Sequence, residues 1–339
     1  MDLRRGVLAS MAAVLMVGSV LAAAAAPAVA ESRPTAAVSL GDSAASGEGA
    51  RNYESGTNQS GNFCHRSLDS YIHRTAITGI DTTINLACSG ARSTHLQIVG
   101  ESRYGENQAA MLAEVAMQYD VELVTIQIGA NDDPGFAETV LECVKRWAAV
   151  VGPGCRDTIG AEWPDRVEAM KPKVANAVTD VRKVMSDAGY AESDYELVLV
   201  SYASPVTENM RLLTHALEGC PIRIADARWG RTVATVMLND TLRDVAQDVG
   251  VRFLDLSRAT EGREACNRSV SAHWVRALTV AVHDVVHGIG GNLVQESFHP
   301  NARGHAQMGG CIGEFYTTDA TQAACRRGAD GNLHPVPTG

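Results

Sequence analysis

A serine becomes a useful nucleophile where a base can take its proton and donors await the oxyanion its attack creates. Four stretches of this 339-residue chain carry residue types suited to those tasks. Val38-Ser39-Leu40-Gly41-Asp42-Ser43 is an apolar run that stops at Gly-Asp-Ser and enters the small-residue turn Ala44-Ala45-Ser46-Gly47-Glu48-Gly49. Asn85-Leu86-Ala87-Cys88-Ser89-Gly90-Ala91 and Gly129-Ala130-Asn131-Asp132 follow, and Glu296-Ser297-Phe298-His299-Pro300-Asn301 lies further on. Each alone reads as an ordinary turn, because Gly, Asp, Asn and Ser are the residues turns select. Together, and in this order, they supply a nucleophile, oxyanion donors and a base.

Ser43 is the candidate nucleophile. Of the ten histidines, His299 is the best candidate base, and Glu296 stands three residues before it. A carboxylate there can accept the second ring N–H, fix the tautomer and stabilise the imidazolium. Gly90 lets a backbone N–H approach a ligand closely, Asn131 brings a side-chain amide, and the N–H of Ser43 is the third oxyanion donor. Asp42 is read as a turn-bracing carboxylate.

The elements that must hold these residues follow from the apolar pattern. Short apolar runs over 36–40, 82–87, 123–128, 197–201 and 251–256 read as strands, and helical stretches separate them. Helices are expected over 107–119, 136–150, 166–188, 226–248 and 272–287, with a last one opening at Pro300. Strands alternating with helices indicate an α/β fold with a mainly parallel sheet. The Ser43, Gly90 and Asn131 motifs each follow a strand, at the carboxyl ends of the strands, where such folds bind ligands. The stretch 147–163, with Cys143 and Cys155, reads as a disulfide-clipped insertion that either borders the acyl pocket or covers the sheet.

Residues 1–30 have the basic start, apolar run and Ala28-Val29-Ala30 end of a secretory leader, so the mature chain is expected to begin near Glu31. Removing them takes the net charge from −10 to −11 and leaves 309 residues, expected to form a single domain over 31–339. An acidic chain without a Lys/Arg cluster argues against nucleic acid or anionic membrane as its main partner. All eight cysteines lie in the exported part, which indicates disulfides rather than a metal site. Nearest-neighbour pairing, Cys64 with Cys88, Cys143 with Cys155, Cys220 with Cys266 and Cys311 with Cys325, is the expected arrangement. There is no Gly-x-Ser-x-Gly elbow and no Gly-x-Gly-x-x-Gly after a strand. His283 and His287 have i, i+4 spacing but lack the adjoining Glu of a zinc protease, so they are read as a helix-face pair.

The four blocks resemble the SGNH, or GDSL, hydrolase family, especially its secreted actinobacterial esterase and lipase branch. Ser43, Gly90, Asn131 and His299 match the four residues that name the family, across nearly the whole exported chain. The resemblance implies a flavodoxin-like three-layer α/β/α sandwich with a central parallel sheet of about five strands. It also implies Ser43 as nucleophile, His299 as general base and acid, an oxyanion hole from Ser43, Gly90 and Asn131, and no metal or cofactor. One departure is Glu296, where the family usually has Asp. Some members of the secreted branch use a backbone carbonyl instead, so Glu296 is either the third triad member or a bystander. The expected activity is that of a secreted, monomeric serine esterase or lipase acting on small-molecule or lipid esters through an acyl-enzyme, without stable membrane insertion. A phospholipase, a carbohydrate O-deacetylase and a non-catalytic exported binding protein are the alternatives.

Overall fold

The computed structural model describes residues 33–149, 151–270, 272–279 and 295–338. Among these, the strands are β1 (Thr35–Gly41), β2 (Thr82–Asn85), β3 (Asp120–Gln127), β4 (Glu196–Val200), β5 (Arg252–Asp255), β6 (Gln322–Arg327) and β7 (Leu333–Pro337). They form one sheet in the order β2-β1-β3-β4-β5-β6-β7. All neighbours run parallel except β7, which pairs antiparallel with β6. Successive side chains of a strand point to opposite faces. Accordingly Val38, Val124, Leu199 and Phe253 enter one core, while Ala37, Leu123, Val198 and Leu254 enter the other.

Helices α1 (Ser43–Ser46), α2 (Gln108–Gln118), α3 (Phe136–Ala148), α4 (Cys155–Thr158), α5 (Trp163–Asp187), α6 (Ile224–Trp229), α7 (Thr235–Val249) and α8 (Ala302–Tyr316) complete the described elements with short 3₁₀ and π turns. Leu112 of α2, Val174 and Val178 of α5 and Leu242 of α7 pack on the first face. Met308, Ile312 and Phe315 of α8 pack on the second. The result is a three-layer α/β/α sandwich, and Arg33–Gly339 clusters as one compact unit. The leader expected over 1–30 lies outside the described residues.

Several expectations are corrected. The sheet contains the five strands read from the sequence and adds two more, β6 and β7. In β6 the sequence Gln-Ala-Ala-Cys-Arg-Arg hides its apolar face, and β7 carries Pro335 and Pro337, which a strand tolerates at a sheet edge. The helix expected over 272–287 is not formed by residues 272–279; the remainder, with His283 and His287, lies outside the described residues. Backbone groups of 272–279 are instead spent on the His299 loop: Arg276 N–H donates to His299 O (2.9 Å), Phe298 N–H to Arg276 O (3.1 Å) and Asn301 N–H to Trp274 O (2.8 Å). The last helix opens after Pro300, with Asn301 as its cap accepting from the N–H groups of Arg303 and Gly304. The disulfides are Cys64–Cys88, Cys143–Cys155, Cys220–Cys266 and Cys311–Cys325.

Candidate active site

β1 ends at Gly41, whose φ of +141° and close approach to the Gln127 carbonyl leave no room for a side chain. The amide of Gln108 braces this bend, accepting from Gly41 N–H (2.7 Å) and donating to Gly41 O (2.8 Å). The chain then enters α1, with Asp42 as its N-cap accepting from Ala44 N–H at 2.9 Å. The other Asp42 oxygen accepts from the Tyr202 hydroxyl at 2.5 Å. Burial pushes the Asp42 carboxyl up to about 7, with these hydrogen bonds pulling the other way. Asp42 thus braces the turn that presents Ser43.

His299 comes from the loop ahead of α8. Its Nε2 lies 2.7 Å from Ser43 Oγ. Its Nδ1 lies 3.0 Å from the carbonyl oxygen of Ser297. Phe298 between them has φ of +61°, an uncommon value for an aromatic residue, which curls that carbonyl back towards the ring. The ring also meets Phe136 edge-on, with centroids 5.7 Å apart. Burial lowers the pKa of His299 from the ordinary imidazole value, partly opposed by the charge of Glu48 and the Ser297 carbonyl.

Glu296 does not reach His299. Its carboxylate accepts from Arg51 Nε at 3.0 and 3.2 Å and from the Tyr53 hydroxyl at 3.4 Å, and Arg276 Nε lies 3.7 Å away. Two guanidiniums attract a carboxylate more strongly than a neutral imidazole does, so the expected Glu296–His299 pair is replaced by the Ser297 carbonyl.

The oxyanion side is assembled from three loops. The N–H groups of Ser43 and Gly90 have no acceptor among the described residues. Gly90 has φ of +74°, and the guanidinium of Arg103 lies over the place a side chain would occupy. Asn131 Nδ2 donates to Ala91 O at 3.0 Å, which ties the Asn131 loop to the Gly90 loop.

Ser43, Asn131 and His299 open on a cavity of about 130 Å³ whose walls include Phe136, Val140, Trp163, Val206, Ile222 and Leu238. Cys143 and Trp163 belong to this wall, so of the 147–163 stretch its last residue and, through the Cys143–Cys155 disulfide, its clip meet the pocket. Trp163 and Trp229 meet edge to face at 5.7 Å. Residues not singled out from the sequence include Tyr202, which holds Asp42, Arg103 over Gly90, and the buried pair Glu48–His65 beside Ser89. The acid between two glycines in Gly47-Glu48-Gly49 was the one local sign of the last. No helix among the described residues is long and apolar enough to cross a membrane.

Residues 39–307 match the model of the GDSL-like Lipase/Acylhydrolase family. The chain is 29% identical over 279 residues to Lipase 2 of Streptomyces coelicolor, covering 80% of this chain and 82% of that one. Among solved structures, the extracellular lipase of Streptomyces rimosus superposes with a TM-score of 0.51 at 24% identity, covering 80% of this chain and 94% of that one. Phospholipase A1 of Streptomyces albidoflavus also gives 0.51, at 23% identity, covering 81% and 95%. The family match spans the Ser43 turn, the Gly90 and Asn131 loops and the His299 loop, and the chain therefore belongs to the GDSL-like lipase/acylhydrolase family of carboxylic ester hydrolases.

Proposed function

We propose that the protein is a secreted esterase or lipase that cleaves aliphatic acyl esters through an acyl-enzyme on Ser43. The observation that carries this reading is the 2.7 Å contact between Ser43 Oγ and His299 Nε2 at the mouth of an apolar cavity. His299 Nε2 takes the Ser43 proton as Oγ bonds to the ester carbonyl carbon. The oxygen that gains charge is met by the N–H groups of Ser43 and Gly90 and by Asn131 Nδ2, donors set before the reaction begins. The imidazolium then gives its proton to the departing alcohol oxygen. Water, deprotonated by His299, attacks the acyl-enzyme and frees the acid and Ser43. The Nδ1–H of His299, donating to Ser297 O, holds the tautomer that keeps Nε2 available to Ser43.

The apolar wall favours an aliphatic acyl group, whose burial is worth about 0.8 kcal/mol per methylene. Export is supported by the leader-like sequence of residues 1–30 and by four disulfides, which persist in oxidising compartments. A phospholipid is the second reading, favoured by Arg103. Its Nε donates to Ser89 O at 2.6 Å, and no carboxylate pairs with it among the described residues, which leaves a cation beside Gly90 for an anionic headgroup. Turnover of p-nitrophenyl esters from acetate to palmitate, compared with phosphatidylcholine and acetylated xylan, tests both readings. Preference for the xylan would refute the acyl-pocket argument, and no turnover of any ester would refute the function.

A further inference from the structure

With Glu296 held by arginines, the carboxylate that a Ser-His pair usually recruits is missing from its expected place. Glu48, five residues after Ser43, is fully buried. Its backbone N–H donates to Ser43 O at 3.1 Å. Its Oε2 accepts from Ser89 Oγ at 2.7 Å, next to Gly90, and from His65 Nδ1 at 2.6 Å. Its Oε1 accepts from the Tyr53 hydroxyl at 3.1 Å, and that hydroxyl also reaches Glu296. Ser89 Oγ in turn accepts from Gln295 Nε2 at 2.5 Å, at the start of the His299 loop. Gly49 packs against the same loop so closely that a Cβ there would stand 3.0 Å from His299 Cβ and 2.8 Å from Pro300 O. One carboxylate therefore bonds to or adjoins the nucleophile turn, the Gly90 loop and the histidine loop.

We propose that Glu48 is the positioning carboxylate of this site, locking the three loops together and supplying the negative charge that stabilises the His299 imidazolium, with His65 Nδ1 hydrogen-bonded behind it. The inference rests on the Ser43–His299 reading of the function. Burial alone would raise Glu48, but the hydrogen bond and charge of His65, joined by the Ser89 bond, hold it below the usual carboxylate range, so it remains an anion. Each of Glu48 and His299 favours the charged form of the other. The other ionisable groups around the ring are His65 behind Glu48, His305 on α8, Asp42 ahead of Ser43, and Glu296 with Arg51, Arg276 and Tyr53. Among the carboxylates, Glu296 is neutralised by arginines and Asp42 is raised, which leaves Glu48 as the effective anion.

The test is the pH dependence of kcat/KM for p-nitrophenyl butyrate in the wild type, Glu48→Gln, Glu48→Asp and His65→Gln, with fluorophosphonate labelling of wild-type Ser43 alongside. Removing a nearby negative charge should move the acid limb of Glu48→Gln to lower pH by about half a unit or more and lower kcat about tenfold or more. Glu48→Asp should recover part of kcat, and His65→Gln, which removes a ring that disfavours protonation of His299, should move the limb to higher pH. A purely structural role lowers the amount of active enzyme without moving its titration, so an unmoved limb in folded Glu48→Gln overturns the proposal. If that variant does not fold, His65→Gln decides: a limb that fails to rise overturns it. Failure to label wild-type Ser43 would sink the Ser43–His299 reading itself, whereas labelling with unmoved limbs sinks the Glu48 inference alone.

Discussion

The Nδ1 of His299 meets the carbonyl oxygen of Ser297 at 3.0 Å, two residues back along the same loop. A carbonyl can hold the ring and select its tautomer, but it brings no full charge to the imidazolium. The carboxylate of Glu296, which has that charge, is 3.0 Å from Arg51 Nε instead.

Glu296→Gln should therefore cost less than about tenfold in kcat, against the roughly 10⁴-fold loss that follows removal of the charge from a true triad acid. Steady-state kinetics beside the wild type checks this. A loss of several orders of magnitude in a folded variant would return Glu296 to the catalytic machinery.

Ser43→Ala should reduce ester turnover by about 10³-fold or more, with a circular dichroism spectrum like that of the wild type, because the Ser43 side chain adds little to the core. Near wild-type turnover would remove Ser43 from the mechanism.

Ester turnover needs neutral His299, and burial favours the neutral ring. The acid limb of kcat/KM should thus lie below the ordinary imidazole value of about 6.5. A limb above that value, with chemistry limiting, would show a net stabilisation of the imidazolium that this geometry does not give.

Trp229→Ala should deepen the cavity at the edge-to-face Trp163–Trp229 contact and shift preference towards longer acyl chains. At about 0.8 kcal/mol per buried methylene, room for two more methylenes should raise the palmitate-to-butyrate ratio of kcat/KM about tenfold or more. An unchanged ratio would put the acyl chain elsewhere.

His305 of α8 is fully buried, and burial, with the nearby His299, pushes its pKa down to about 3, only partly opposed by the backbone of Glu48. The unfolded chain, with an imidazole near 6.5, then binds more protons than the folded one between these values. This group's contribution is favourable above about 6.5 and is lost as pH falls towards 3. Thermal melts of His305→Leu should fall less steeply than wild type from pH 7 to 4, and parallel curves would contradict the assignment.

The apolar runs of β1 to β5 and the turn chemistry around Ser43, Gly90, Asn131 and His299 were legible because each is a local property, written in neighbouring residues. Their convergence followed from one rule, that strand ends in an α/β sheet share a rim. β6 and β7 escaped because a mixed sequence with prolines becomes strand only when a neighbouring edge accepts it. Residues 272–279 escaped because the partners of their backbone sit on the His299 loop, not on their own helical turn. The direction of Glu296 and the reach of Glu48 were decided by tertiary structure alone. A carboxylate goes to the strongest donors within reach, and for Glu296 that donor, Arg51, stands 245 residues away in the chain. Sequence spacing tells which groups share a turn; only the folded chain tells which charges share a pocket.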